Sequence, residues 1–130
     1  MQRLVFERLV ERVLAELPAK YSERLHNLVF VVEDYADSDV LAAVGCDDSG
    51  ELLGFFDGTP LTERSHDQLD YGPDRILLFQ MPIEAEAHAC GLSPAQVIRE
   101  TLWHEIAHYF GFSEEEMDRI EAWWVGEGSG

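Results

Sequence analysis

The chain has 130 residues, about the size of one domain, and 46% of them are hydrophobic, so it can form a core without disulfide staples. Its 26 acidic residues outnumber its 9 basic ones and give a formal net charge of −17. Because a surface of that sign repels phosphate groups, we predict that nucleic acid is not a partner.

The N-terminal third predicts a helix, a strand and a short helix. Residues 2–17 have seven apolar side chains at helical spacing, with glutamates between them, and Pro18 ends the pattern. Those seven are Leu4, Val5, Leu9, Val10, Val13, Leu14 and Leu17. The β-branched run from Leu28 to Val32 predicts a buried strand, and Ser38 to Val44 predicts one or two helical turns that stop at Gly45.

The middle of the chain predicts two more strands around a long loop. The second strand, Leu52 to Phe56, follows a turn and ends at Asp57. Residues 57–72 are rich in turn formers and predict the longest loop. Arg75 to Met81 predicts a third strand, which the prolines at both ends place near a sheet edge. Such an edge could accept an extended peptide as an additional strand.

The C-terminal part predicts two helices. Ser93 as N-cap and Pro94 at the first helical position begin a helix that runs to about Phe110 and stops at Gly111. A last helix is predicted at about 114–124, followed by a frayed tail. We find no repeat and no linker, which predicts one α+β domain over residues 1–125 and a flexible tail at 126–130.

The cysteines and the N-terminus predict a cytoplasmic protein. Cys46 and Cys90 are the only cysteines and lack Cys-x-x-Cys spacing, so we expect two reduced, half-buried thiols. The charged N-terminal helix has no apolar stretch typical of a signal peptide. Because no segment approaches the roughly 18 apolar residues of a membrane span, we predict no membrane partner.

The predicted helix after Pro94 carries the sequence His104-Glu105-Ile106-Ala107-His108. Residues four apart lie on one helix face, so His104 and His108 can bind one zinc ion through neutral imidazole nitrogens. Glu105 can then reach a metal-activated water without being a ligand, and can act as its general base. The alternative is that the two histidines are residues at the edge of the core, although burying them without a purpose costs free energy.

A catalytic zinc needs a third protein ligand. Gly111 can adopt the left-handed conformation that turns the chain back under the site, which would bring Glu114 to the metal. Ser113 and Glu116 also form a capping-box pattern, and acids are favoured in a first helical turn. Each of these acids therefore also fits a helix start without any role at the metal. Because some residue must complete the site, we predict Glu114 as the third ligand, with Asp118, one turn further along, as the second choice.

The segment HEIAHYFGFSE matches the pattern HExxHxxGxx(D/H) of the short-spacer zincins, in which metzincins end on histidine and Asp-zincins on aspartate. Together with LLGFFDGTPLTERS and PDRILLFQMPI, it resembles a family of minimal, zincin-like bacterial proteins. The resemblance implies a compact fold in which a small mixed β-sheet packs against an active-site helix and flanking helices. It also implies a zinc site and peptidase activity. The chain departs from the family at Glu114, where aspartate is usual.

Other polar and aromatic residues are secondary candidates. Possible donors to a developing oxyanion are Arg64, His66, Tyr71, Arg75 and Tyr109, each of which also fits a surface or packing role. Of these, Tyr109 is predicted to face away from the metal, and His66 and Tyr71 lie on the long loop that could cover the site. The residues predicted to be structural are His26, His88, Trp103, Trp123 and Trp124.

Three functions remain open from the sequence. The first is a zinc metallopeptidase with a peptide or protein substrate, in which Glu105 is the base and His104, His108 and Glu114 hold the metal. The second is a non-catalytic metal-binding module, regulatory or interacting, on a zincin scaffold. The third is an acidic interaction protein that binds no metal.

Overall fold

A computed structural model describes residues 1–25, 27–58, 74–113 and 115–119. Within them the elements follow the order α1 (Arg3–Ala15), α2 (Ala19–Ser22), β1 (Leu28–Glu33), α3 (Ser38–Val44), β2 (Gly54–Asp57), β3 (Asp74–Phe79), α4 (Gln80–Cys90) and α5 (Pro94–Phe110). A short helical stretch at 115–119 comes last. The architecture is α+β with a small mixed sheet, which confirms the predicted fold class.

The three strands of the described residues form one sheet in the order β1-β3-β2. β1 runs parallel to β3, with Leu28 opposite Asp74 and Glu33 opposite Phe79. β2 runs antiparallel to β3, with Gly54 opposite Leu78 and Asp57 opposite Arg75. The last of the described strands in sequence, β3, is therefore the middle strand of the sheet.

The prediction that Arg75 to Met81 lies near a sheet edge is wrong. β3 is central and ends at Phe79, and its apolar side chains are buried on both faces of the sheet. Pro82 lies in the first turn of α4. A first helical turn tolerates proline because its backbone N–H groups have no intrahelical partners. The hypothesis that a peptide adds to the edge of this strand falls with it.

Helices cover both faces of the sheet. On one face α1 and α5 share the larger hydrophobic cluster, whose fully buried members include Phe6, Trp103 and Ile106. On the other face Leu77 and Phe79 pack against Val40 and Leu41 of α3. Of the apolar face predicted for the first helix, the five residues from Leu9 to Leu17 pack in this larger cluster, and the first turn departs from the prediction. Leu4 and Val5 are 58% and 46% exposed, whereas Phe6 is buried.

The ends of α5 follow the prediction from sequence. The Ser93 side chain accepts a hydrogen bond from the Gln96 backbone N–H, and the Gln96 side chain accepts one from the Ser93 backbone N–H, which completes a capping box. Pro94 is the first helical residue. At the other end Gly111 has φ 78°, the left-handed conformation that glycine adopts without strain.

The remaining predictions have mixed outcomes. Both cysteines are free thiols; Cys46 is partly buried as expected, but Cys90, the last residue of α4, is exposed. His26, residues 59–73, which are most of the predicted long loop, Glu114, and residues 120–130, with Trp123, Trp124 and the tail, lie outside the described residues. No helix in the described part of the chain is long and apolar enough to cross a membrane.

Candidate metal centre

His104 and His108 lie side by side on the exposed face of α5. Their Nε2 atoms are 3.1 Å apart, and their ring centroids are separated by 4.7 Å. The helix cannot rotate to hide them, because Trp103, Ile106 and Ala107 on its opposite face are buried in the core. The two imidazoles therefore converge on one point that solvent reaches, and they are not sealed in the core.

The spacing of the two nitrogens suits a tetrahedral metal ion. Two nitrogens bound to one such ion, each at about 2.0–2.1 Å, lie roughly 3.3 Å from each other. The observed 3.1 Å between the Nε2 atoms is close to that value. Neutral imidazole is also a ligand type that zinc favours. The chemistry and spacing of this donor pair thus fit a zinc ion.

Glu105 is a buried carboxyl group beside the histidine pair. Its side chain is 8% exposed, and its Oε2 atom has no hydrogen-bond partner among the described residues. Burial raises the pKa of Glu105 to about 7, because the surrounding apolar groups disfavour the charged form. A carboxyl group with a pKa near neutrality can both accept and donate a proton at physiological pH.

Strand β2 and helix α5 hold Glu105 in place through a close approach at Gly54. A Cβ atom at position 54 would lie 2.7 Å from Cγ2 of Thr101 and 3.4 Å from Cγ of Glu105. The only side chain that fits without displacement is hydrogen. Thr101 is itself fixed, since its hydroxyl donates a 2.8 Å hydrogen bond to the Val97 carbonyl.

A cleft of about 810 Å³ opens over this pair of elements. His104, Glu105 and His108 lie along one wall, and residues of β2 form the other. The cleft continues past the histidines to the C-terminal end of α4. Among the described residues its lining is Val44, Leu52, Leu53, Gly54, Phe55, Phe56, Gly58, Glu86, Cys90, Leu92, Val97, Glu100, Thr101, His104, Glu105 and His108.

The third metal ligand remains a prediction. Glu114, the first choice, lies outside the described residues. Asp118, the second choice, is exposed in the helical stretch at 115–119. Among the described residues, Asp118 included, no third His, Cys, Asp or Glu side chain lies where it could hold a metal ion together with the two histidines. The predicted capping box is present, because the Glu116 N–H donates to Ser113 Oγ and Glu116 Oε1 accepts from the Ser113 N–H.

The structure places two of the secondary candidates away from the cleft. The Tyr109 hydroxyl donates to the Arg24 carbonyl at 3.3 Å, and its ring packs on Phe56, so it faces away from the histidines as predicted. Arg75 is exposed and forms an ion pair with Asp57. Arg64, His66 and Tyr71 lie outside the described residues, and His88 is exposed on α4.

Several residues that line the cleft were not identified as site residues from the sequence. Glu100 and Thr101 precede His104 and Glu105 by four residues each, so helical spacing alone indicates that they share the face of the motif. No comparable signal identifies Gly54, Glu86 or Cys90, because their place in the cleft depends on how β2 and α4 pack against α5.

Comparisons with known proteins agree with the geometry at the level of the family. A family model described as "Zincin-like metallopeptidase" matches residues 25–124, which include both histidines and all of the sheet. A search of curated proteins found no match.

Proposed function

The chain belongs to the zincin-like metallopeptidase family, and from that premise we propose that it is a zinc-dependent hydrolase of peptide bonds. The observation that carries the proposal is the convergence of the His104 and His108 Nε2 atoms, 3.1 Å apart, next to a buried carboxyl group in an open cleft. The two free cysteines are compatible with a reducing, cytoplasmic compartment.

His104 and His108 would hold the zinc ion, with Glu114 as the proposed third ligand and Asp118 as the alternative. When bound, zinc would supply Lewis acidity that polarises the substrate carbonyl and lowers the pKa of a water molecule toward 7. The imidazoles bind as neutral ligands, so the protein's own part is to present both Nε2 atoms without a proton. Positive charge beside Glu105 would also favour its ionised form.

Glu105 would move the protons of the reaction. Its carboxylate takes a proton from the attacking water, whose oxygen forms a bond to the peptide carbon. The same carboxyl group then gives that proton to the amide nitrogen as the C–N bond breaks. In the metal-free chain burial raises the pKa of Glu105 to about 7, which favours the protonated form that the second transfer needs, while the charge of bound zinc would favour the carboxylate that the first transfer needs.

Strand β2 would position the substrate backbone. Among the described strands β2 pairs only with β3, and we place the main-chain hydrogen bonds of the substrate at its other edge. Leu52 to Phe56 line the cleft opposite the histidines. An extended peptide added to this edge as another strand would lie alongside α5, with its carbonyl groups facing His104 and His108. We therefore propose that the substrate pairs with β2, and not with the strand at Arg75 to Met81 that the sequence favoured.

The test is hydrolysis by the zinc-loaded protein and its Glu105→Gln variant. The proposal predicts that wild type cleaves peptides from a broad synthetic pool, and that Glu105→Gln binds zinc with the same stoichiometry but loses at least 100-fold in rate. Glu11→Gln, a loss of charge on the exposed face of α1, is the control. Full activity in Glu105→Gln would remove the base assignment. Stoichiometric zinc without any cleavage by wild type would favour the non-catalytic metal-binding module instead.

A further inference from the structure

The cleft extends well beyond the histidine pair along the axis of α5. Val97, Thr101, His104 and His108 follow helical spacing on the face that lines it. From Val97 to His108 this face is about 16 Å long, since an α-helix rises 1.5 Å per residue. An extended peptide rises about 3.3 Å per residue, so roughly five residues of substrate fit beside the helix.

One end of the cleft is acidic. Glu86 of α4 and Glu100 of α5 both line it, and no lysine or arginine is among its lining residues in the described part of the chain. The Cys90 thiol donates a 3.0 Å hydrogen bond to Glu86 Oε1. That bond is the main reason why the pKa of Cys90 is raised, and the charges of Glu86 and Glu100 act in the same direction.

The same end also offers apolar surface. Leu92, two residues after Cys90, lines the cleft there and is 36% exposed, and Val44, which is 43% exposed, also lines the cleft. An aliphatic chain that ends in a positive charge matches this combination, because its methylene groups cover the apolar side chains while its head stays with the carboxylates. A neutral side chain would leave the two carboxylates without a counter-charge, and an acidic one would be repelled by them.

A second feature, independent of the acidic end, indicates that the cleft takes a ligand. Glu105 is more than nine-tenths buried and lines the cleft, yet its Oε2 atom has no partner among the described residues. A buried polar atom of this kind costs free energy unless a bound group satisfies it. The unpartnered Oε2 atom therefore indicates that the cleft takes a ligand beside Glu105, and Glu100 lies five residues, or about 7.5 Å, nearer the start of the helix.

We propose that the substrates of this protein carry a lysine or arginine within two residues of the cleaved bond, with its cationic group held between Glu86 and Glu100. This inference rests on the proposed peptidase function and specifies its substrate class. The limit of two residues follows from the distance along α5. Glu100 and His104 are four residues apart on the helix, which is about the length of an extended lysine or arginine side chain.

Digestion of a random pool of synthetic peptides, with products identified by mass spectrometry, tests the proposal. Wild type should cleave with lysine or arginine enriched within two residues of the new ends. Glu86→Gln/Glu100→Gln should cleave the pool but lose the enrichment, with kcat/KM for a lysine peptide falling about five- to twentyfold and for its norleucine analogue changing less than twofold. The preference should also shrink as sodium chloride rises from 0.05 to 0.5 M.

Three outcomes separate the substrate proposal from the peptidase proposal. Cleavage without basic enrichment, or enrichment that survives the double substitution, overturns the substrate class and leaves peptidase function standing. If wild type cleaves nothing, zinc-loaded Glu105→Gln is titrated with fluorescent lysine, norleucine and glutamate peptides. Tighter binding of the lysine peptide that requires Glu86 and Glu100 supports the inference, and equal binding of all three overturns it. Glu11→Gln again controls for the loss of surface charge.

Discussion

Gly54 of β2 lies directly against Thr101 of α5, so close that a Cβ atom at position 54 would come within 2.7 Å of the Thr101 Cγ2 atom. Gly54→Ala should therefore separate strand and helix beside Glu105. We expect a loss of about 1–3 kcal/mol in unfolding free energy from overpacking, and a fall of about tenfold or more in kcat/KM from displacement of the carboxyl group. Urea unfolding and peptide hydrolysis measure the two effects.

A second substitution separates the contact from a general effect of the extra methyl group. Thr101→Ser removes Cγ2 and keeps the hydroxyl that donates to the Val97 carbonyl. In the double variant Gly54→Ala/Thr101→Ser, most of the lost activity should return. No recovery would mean that the close approach to the Leu77 carbonyl, 3.2 Å from the same Cβ position, governs the defect instead.

Two glycines at helix ends form a matched pair for the turn after the histidines. Gly111 and Gly91 end α5 and α4 with φ 78° and 68°. Alanine at either position should cost about 1 kcal/mol, because a Cβ atom disfavours the left-handed conformation. Only Gly111→Ala should also weaken zinc binding, since only this turn leads to the proposed third ligand. Equal zinc affinity in both variants would argue against a ligand supplied from beyond Gly111.

Three substitutions that replace a carboxylate by an uncharged amide can identify the third metal ligand. Glu114→Gln should weaken zinc binding by at least tenfold if Glu114 coordinates, whereas Asp118→Asn should do so if the alternative is right. Glu115→Gln, at the next position in the sequence, controls for the loss of one acidic charge. Competition with a fluorescent chelator gives the three affinities. Unchanged binding in all of them would leave both assignments without support.

Glu105 predicts how the stability of the metal-free protein depends on pH. Burial raises its pKa from 4.5 to about 7, so between these values the folded chain keeps a proton that the unfolded chain loses. The stabilisation is fully present below pH 4.5, falls as pH rises, and is lost above about pH 7, a change of about 3 kcal/mol. Glu105→Gln has no such slope.

The measurement is a comparison of the unfolding free energies of metal-free wild type and Glu105→Gln at pH 5 and pH 8. The variant should gain about 2–3 kcal/mol relative to wild type at the higher pH. The difference between the two proteins cancels the contributions of the many surface acids. If the difference in unfolding free energy between the two proteins is the same at pH 5 and pH 8, ionisation of Glu105 does not destabilise the folded protein. Glu11→Gln supplies the baseline for an exposed carboxylate.

The helix that carries the histidines could be predicted from sequence in nearly every respect. Its N-cap, first-turn proline, C-terminal glycine and the shared face of His104 and His108 are all local features, determined by side chains within one or two helical turns. The capping box between Ser113 and Glu116 is local in the same sense, and it too is present.

The order of the strands and the cleft could not be predicted in that way. β3 has prolines in its flanking sequence, but its central position depends on pairing with two strands distant in the chain. Helix α4 was missed because its buried residues, such as Ile83 and Ala87, are few among glutamates and alanines. The place of Glu86 in the cleft follows from that helix, so the acidic end could not be found in the sequence either.

Zinc content of the natively purified protein bears most directly on the proposal that His104 and His108 hold a catalytic metal. Wild type and His88→Ala, which removes an exposed histidine of α4 outside the cleft, should each retain about one zinc ion per chain. His104→Ala and His108→Ala should each lose it, and chelator should lower the melting temperature of the first two proteins only. Zinc retained in full by either cleft variant, or absent from wild type, would contradict the proposed metal centre.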